Sequence, residues 1–198
     1  MRRVVLLVLL ALAVPMLASA SSFDITNLGG SLTGSSSGLT VGSSTMIQYG
    51  GIIGSNLGSV GFSTGALTSG SLAMGGSFAA GGSFTISGCG CSGVPSGTIF
   101  TGSFDGPVTW QLVTLADGTH NYILTGTISG TWYTGATVAG AVTQLTINTG
   151  KGFFNGSTGI SSGDISINGV VPEPGTLGLL GTGLAGIAGL VRRKLKVS

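Results

Sequence analysis

Apolar and polar residues alternate most clearly in the second half of the chain, from residue 83 onward. β-Branched and aromatic residues in partial period-two alternation indicate strands. Asp117-Gly118 is a turn signal between two such runs, so residues 108–115 and 122–133 are predicted to form an antiparallel hairpin with its loop at 116–121. No amphipathic helix is predicted in the body of the chain. The strand-like runs are 84–86, 108–115, 122–128 and 142–147.

Residues 29–88 have a different composition. They are rich in Gly and Ser, with scattered apolar residues and a partial Gly-Gly-Ser-Phe repeat at 75–78 and 81–84. Strand signals with glycine turns predict an all-β fold, a Gly-rich antiparallel β-sandwich, barrel or solenoid-like body. This exported domain is expected over residues 21–171, low-complexity-like at 29–88 and with clearer strands at 83–170. Uncharged strands are prone to pair through open edges, which suggests self-assembly as one hypothesis.

The first 20 residues have the three parts of a secretory signal peptide. Two arginines precede an apolar run at 4–12, which is too short for a comfortable membrane span. The small residues Ala18 and Ala20 form the cleavage site, and Ser21 becomes the first residue of the mature chain. The sequence therefore predicts an N-terminal signal helix and export.

The C-terminal segment has an apolar stretch of sixteen uncharged residues, 176–191. As a helix it measures about 24 Å, a little less than the ~30 Å hydrocarbon core of a bilayer. Basic side chains that follow it can reach the headgroups and keep the C-terminus cytoplasmic. We therefore predict one C-terminal transmembrane helix, with the body of the protein outside the inner membrane. The cluster that ends the span is Arg192, Arg193 and Lys194.

The tripeptide Pro172, Glu173 and Pro174, the apolar stretch and the basic stop resemble together the PEP-CTERM sorting signal of Gram-negative bacteria. The resemblance covers residues 172–196 only. It implies recognition of the tripeptide and processing by an exosortase-like enzyme. It also implies a single-pass intermediate in the inner membrane, and then a place at the cell surface or in the extracellular matrix, beside exopolysaccharide and biofilm production.

Composition and charge indicate which classes of partner to expect. Gly accounts for 39 of 198 residues, and charged residues for only 6%. The body, residues 21–171, holds one lysine against four aspartates, a formal charge of −3. Affinity for nucleic acid comes largely from Lys and Arg on phosphates, so no nucleic-acid partner is expected.

Cys89 and Cys91 are the only cysteines, and they are two residues apart. In an oxidising compartment a pair of cysteines favours a disulfide. A local bond closes a very small loop and gives little entropic stabilisation, so a link to a partner chain and a metal or redox role stay open beside it.

The residues for catalysis are sparse. His120 is the only histidine. The chain also has Asp105, Asp117 and many serines, but no nucleophile-elbow motif accompanies them, so the sequence does not indicate a Ser-His-Asp triad. We therefore predict that His120 is an exposed hairpin residue. Asp105, Asp117 and Asp164 match no calcium motif. No cofactor, metal or enzymatic activity is expected.

Aromatic residues concentrate in the strand-rich half, where core packing is expected and a sugar-stacking face is the alternative. The predicted function is a non-enzymatic structural protein of the cell surface or matrix. A carbohydrate-binding β domain is the alternative, and a secreted hydrolase is a distant third. The aromatic residues are Trp110, Tyr122, Trp132, Tyr133, Phe153 and Phe154.

Overall fold

The computed structural model describes residues 22–168, which fold entirely into strands, turns and loops. No α-helix occurs within this range. Across residues 22–168, none of the secondary structure is a helix with the length and apolarity that a membrane crossing requires. The strands are β1 Ser22–Leu28, β2 Ser31–Ser35, β3 Gly38–Tyr49, β4 Ile52–Ser63, β5 Leu67–Ser71, β6 Gly75–Phe78, β7 Gly81–Cys89, β8 Ser96–Phe104, β9 Val108–Thr114, β10 His120–Trp132, β11 Thr137–Asn148, β12 Ser157–Gly159 and β13 Ser162–Asn168.

Eight of these strands form a closed antiparallel barrel, in the order β1, β3, β4, β7, β8, β10, β11 and β13. Each pairs with the next along the chain, and β13 returns to pair with β1. The order is up-and-down, because ring strands that follow one another along the chain also pair. Direct turns join β3 to β4, β7 to β8 and β10 to β11, and the other connections contain the short strands. Closure pairs Ser22 with Asn168, so the described chain begins and ends at one end of the barrel.

The five short strands continue the barrel beyond its ring. β2 follows β1 along the same edge of β3, and β9 follows β8 along the same edge of β10. β5, β6 and β12 extend the walls in the same way. Gly30 lies at the bend between β1 and β2 with φ +80°, and a Cβ there would lie 2.0 Å from the Ser43 carbonyl oxygen. Only glycine fits such a bend.

The barrel has a basal end and a distal end. The basal end carries Ser22, Asn168 and the turns at 50–51, 90–95 and 133–136. The distal end carries the turns at 36–37, 72–74, 115–119 and 149–156. This assignment follows from the antiparallel order, since successive strands run in opposite directions.

The core fills the barrel interior. Along β10 the inward positions alternate with exposed ones, as the period-two geometry of a strand requires. Four phenylalanine rings pack in the middle at centroid separations of 5.4 to 6.2 Å. A buried polar pair joins β1 to β3, where the Asn27 Nδ2 donates to the Ser44 Oγ at 2.6 Å. The four rings are Phe62, Phe84, Phe100 and Phe104.

The structure selects the barrel from the three predicted β architectures. The predicted hairpin is confirmed, with β9 and β10 paired around a loop at 115–119. The stretch 29–88 contributes two whole ring strands, β3 and β4, and nearly all of a third, β7, despite its Gly and Ser content. Ring closure gives each long strand of the described range a partner on both sides, and β5 and β12 are the short strands with a single partner. Self-assembly through strand edges stays a prediction. The predicted signal helix and transmembrane helix lie outside the described residues.

Candidate functional site

The predicted sorting and processing residues fall at the two ends of the chain, outside the range 22–168 that the structure describes. The structure instead places the points from which both ends emerge, since Ser22 and Asn168 pair at the basal end. The predictions that stay outside the described residues are the cleavage site at Ala18, Ala20 and Ser21, the tripeptide Pro172, Glu173 and Pro174, the span 176–191, and the basic stop Arg192, Arg193 and Lys194.

An aromatic cluster closes the basal end. Phe23 packs edge-on against Tyr49 and Trp132, at centroid separations of 4.6 and 5.6 Å. Tyr133 contacts Trp132 at 6.1 Å and remains 55% exposed. Burial raises the pKa of the Tyr49 hydroxyl, and the nearby Tyr133 raises it further. This end is therefore sealed by ring packing, with one aromatic side chain left in solvent.

The two cysteines also lie at the basal end. Cys89 is the last residue of β7, and its sulfur is bonded to that of Cys91 in the following loop. Both residues are exposed. The Cys91 N–H donates to the Cys89 sulfur at 3.1 Å, and the Cys91 sulfur contacts the Asn56 carbonyl oxygen at 3.7 Å.

The distal end is closed by two loops that fold onto buried side chains. The Trp110 indole N–H donates to the Leu72 carbonyl at 2.9 Å, and the Tyr122 hydroxyl donates to the Ala73 carbonyl at 2.6 Å. The same hydroxyl accepts the Phe154 N–H at 3.0 Å. Trp110 stacks on Tyr122 with ring centroids 4.9 Å apart, and the buried Phe154 ring packs edge-on against Trp110 with centroids 5.4 Å apart. The interior is thus covered by hydrogen-bonded backbone.

His120 is not an exposed hairpin residue, and that prediction is wrong. The side chain is only 9% exposed, because the Phe153 ring lies over it at 4.4 Å. Its Nδ1 lies 3.2 Å from the Gly152 carbonyl oxygen, so its hydrogen-bond partner is backbone rather than a carboxylate. The 149–156 loop folds back over the hairpin, a tertiary contact that local turn signals do not encode.

The aspartates lie apart and serve turns and neighbouring hydroxyls. The Ser129 and Thr127 hydroxyls donate to the Asp105 carboxylate and hold the pKa of Asp105 below its ordinary value of 3.8. The Thr119 N–H donates to Asp117 at 2.9 Å and lowers the pKa of that carboxyl. The Thr26 hydroxyl donates to Asp164 at 2.9 Å. Over residues 22–168 no three His, Cys, Asp or Glu side chains come together as a metal site would require.

The predicted aromatic core is confirmed for three of its six members, Trp110, Tyr122 and Phe154, which are at most 3% exposed. Trp132 is partly buried. Tyr133 and Phe153 leave 55% and 48% of their surface in solvent, one at each end of the barrel. The sequence did not predict the Tyr122 hydrogen bonds or the pairing of Ser22 with Asn168, since neither has a local signal.

Comparison with protein families matches residues 170–194 to the PEP-CTERM protein-sorting motif. The match contains the Pro-Glu-Pro tripeptide, the apolar stretch and the basic cluster. It begins two residues after Asn168, the last residue of β13. No curated protein and no solved structure gives a significant match to this chain. The chain is an exported protein that carries, in its C-terminal tail, a PEP-CTERM sorting signal of the kind that exosortases process.

Proposed function

We propose that this protein is a structural component of the cell surface or extracellular matrix of a Gram-negative bacterium, delivered by exosortase processing of its tail. The observation that carries the proposal is the sorting motif at 170–194, joined almost directly to the barrel. In this proposal the signal peptide 1–20 is removed on export. The span 176–191 then holds the protein in the inner membrane, with its C-terminus cytoplasmic, until processing.

The outer surface of the barrel supports a structural role. Within residues 22–168 the charged side chains are Lys151 and four aspartates. Hydroxyl side chains meet across neighbouring strands, as in the pairs Thr101 with Thr131 and Ser63 with Ser83. The Ser63 and Ser83 hydroxyl oxygens are 3.0 Å apart. Such a surface offers many weak hydrogen bonds to hydrated polysaccharide, with no strong charge to select one ligand.

A non-enzymatic role is part of the proposal. The groups best suited to acid–base chemistry are engaged in the fold: His120 is covered by Phe153, and Asp105 accepts two hydroxyl hydrogen bonds. General acid–base catalysis needs such groups within reach of a substrate. Secreted hydrolase activity that disappears in the His120→Ala variant, while the barrel keeps its circular dichroism, would contradict this proposal.

Mass spectrometry of the mature protein tests the sorting step. In cells with an active exosortase we expect a mature N-terminus at Ser21 and a C-terminus close to the Pro-Glu-Pro tripeptide. An exosortase deletion and a Glu173→Ala variant are matched controls, in which the tail should persist. Full-length protein ending at Ser198 in exosortase-containing cells would contradict the proposal.

Fractionation tests the destination. After processing, the protein should leave the inner membrane and be found with the cell surface or with extracted exopolysaccharide. Deletion of its gene should weaken the cohesion of that matrix, and expression of the chain with an intact tail should restore it. Processed protein recovered only as free periplasmic monomer would contradict a surface or matrix role.

Carbohydrate binding is a second candidate, favoured by the two exposed aromatic rings at opposite ends of the barrel, Tyr133 and Phe153. Aromatic faces pack against the apolar faces of sugar rings. If this function holds, Tyr133→Ala or Phe153→Ala should weaken retention on a matching polysaccharide. Val142→Ala, an exposed apolar site away from the ring clusters, is the control and should not change retention. Equal retention of all three variants would contradict it.

A further inference from the structure

The loop that joins β7 to β8 at the basal end holds the chain's only two sulfhydryl residues in an exposed disulfide. Cys89 and Cys91 are both exposed, as are the intervening Gly90 and the following Ser92. An attacking thiol therefore has access to the bond. Accessibility is one of the features that separates labile disulfides from inert structural ones.

The disulfide contributes little to holding this loop. It closes a loop of only three residues, which constrains the unfolded chain far less than a long-range bond. Other contacts fix the loop without it: the Val94 side chain is buried, the Val94 N–H donates to the Cys91 carbonyl at 2.8 Å, and Cys89 pairs with Ser96 across the strands. The cross-link can open without releasing the loop.

The two sulfur atoms have different surroundings. The Cys91 N–H points to the Cys89 sulfur at 3.1 Å, while the Cys91 carbonyl oxygen is farther from it, at 3.7 Å. The Cys91 sulfur faces the Asn56 carbonyl oxygen at 3.7 Å. A hydrogen-bond donor stabilises a thiolate, and a carbonyl oxygen opposes one. Negative charge is therefore better placed on Cys89, which makes Cys89 the better leaving group.

We propose that the Cys89–Cys91 disulfide is a thiol–disulfide exchange site for an external thiolate. The thiolate attacks the Cys91 sulfur, a new sulfur–sulfur bond forms to Cys91, and the Cys89–Cys91 bond breaks. The electron pair of that bond leaves on Cys89 as a thiolate. The total number of disulfides is unchanged, so the step needs no oxidant or reductant. Attack of the Cys89 thiolate on Cys91 reverses it.

Trapping the mixed disulfide tests the direction of opening. The full-length chain, purified in detergent, is incubated in a glutathione buffer, quenched with acid, alkylated and mapped by mass spectrometry. We expect glutathione on Cys91 and the alkyl group on Cys89, in about tenfold excess or more over the reverse. Adducts divided evenly, adducts mainly on Cys89, or a disulfide that stays closed would overturn the proposal.

The single variants measure the asymmetry directly. Cys91→Ser leaves the Cys89 thiol beside the N–H of residue 91, and Cys89→Ser leaves the Cys91 thiol beside the Asn56 carbonyl. The pH dependence of alkylation should show that the Cys89 thiol ionises at lower pH than the Cys91 thiol. The opposite order would remove the physical basis of the proposal.

Two experimental arms distinguish the source of the thiolate. Glutathione represents small thiols, and a second copy of the chain represents protein thiols. In the second arm, a trace of reductant is added and protein concentration is raised. A ladder on non-reducing gels that is absent in the Cys89→Ser/Cys91→Ser variant assigns the partner to another copy. Adducts with glutathione and no ladder assign it to small thiols. The absence of both products would overturn the proposal.

A structural role predicts a different result for the same double variant. If the bond is an exchange site, Cys89→Ser/Cys91→Ser should unfold at nearly the same urea concentration as the parent chain. A large fall in that midpoint would show that the bond holds the barrel together and would overturn the proposal. None of these measurements depends on exosortase processing or matrix location.

Discussion

The two ends of the barrel are both sealed by aromatic rings, but they differ in what holds the rings. At the distal end Trp110 and Tyr122 donate hydrogen bonds to the backbone of a turn, and Tyr122 also accepts one from the 149–156 loop. At the basal end Phe23, Tyr49 and Trp132 pack on one another. At the distal end hydrogen bonds join the loops to buried rings of the core. At the basal end the rings pack on one another, at the same end of the barrel as Ser22 and Asn168.

This difference has an energetic consequence. Removing one partner of a buried hydrogen bond leaves the other unpaired and costs more than losing the contact alone. Rings without such partners contribute chiefly through buried area and packing. Matched substitutions at the two ends should therefore have unequal effects on stability.

The largest difference is expected for the two tryptophans. Trp110→Ala should lower the free energy of unfolding by about 3 to 5 kcal/mol, because the ring is buried and its N–H bonds the Leu72 carbonyl. Trp132→Ala should cost about 2 kcal/mol, since that side chain is only partly buried. Urea denaturation followed by circular dichroism measures both. Equal losses would remove the distinction between the ends.

The tyrosines sharpen the comparison by removing one oxygen atom at each end. Tyr122→Phe should cost roughly 2 to 3 kcal/mol, because the Ala73 carbonyl and the Phe154 N–H both lose their partner. Tyr49→Phe should cost less than about 0.5 kcal/mol, the range of substitutions that remove no such partner. In a Trp110→Phe or Trp132→Phe background, the fluorescence of the one remaining tryptophan reports at which urea concentration its end of the barrel unfolds. A larger loss for Tyr49→Phe would contradict the comparison.

A glycine tests the fit of the distal loop. A Cβ on Gly34 would lie 2.5 Å from a Leu39 methyl carbon and 3.0 Å from the Phe154 ring. Gly34→Ala should therefore cost about 1 to 2 kcal/mol through overpacking. Gly42→Ala is the control, because nothing lies within 4 Å of a Cβ there, and it should be neutral or slightly stabilising. Equal urea midpoints for the two variants would show that the loop accommodates the added methyl group without loss of stability.

The smallest effect concerns pH at the distal turn. The pKa of Asp117 is lowered in the folded protein, so its hydrogen bond to Thr119 is fully present above the ordinary value of 3.8. The bond is lost as pH falls through the lower, folded pKa. Relative to the intrinsic rate at the same pH, exchange of the Thr119 amide should therefore accelerate as the pH falls below 3.8. In Asp117→Asn this acceleration should be absent; persistence there would assign it to another group.

Local patterns were enough for features whose residues are contiguous. The hairpin of β9 and β10 followed from alternation on both sides of Asp117-Gly118. Alternation predicted the run 84–86 within β7 but not the strands from β2 to β6, where small Ser and Gly residues carry little contrast between the two faces. There the inward positions are distinguished by a few large side chains such as Phe62 and Phe84.

Candidate chemistry was harder to place than strands. Spacing alone left three interpretations open for Cys89 and Cys91, and the exposure and hydrogen bonding of each sulfur needed coordinates. His120 sits in a turn-rich sequence that favours exposure, yet a loop some thirty residues later covers it. Burial of a single side chain depends on segments that are distant in sequence, which turn propensity cannot report.

The sequence by itself determined that the protein carries a sorting signal for export, and it determined the class of fold. A sorting signal is read as a contiguous string, and strand formation follows from local alternation and glycine turns. Only the tertiary structure decided that the sheet closes, that β13 pairs with β1, and that Ser22 and Asn168 lie at the same end as the aromatic cluster. Closure depends on the register between strands about 140 residues apart, and no local pattern fixes that register.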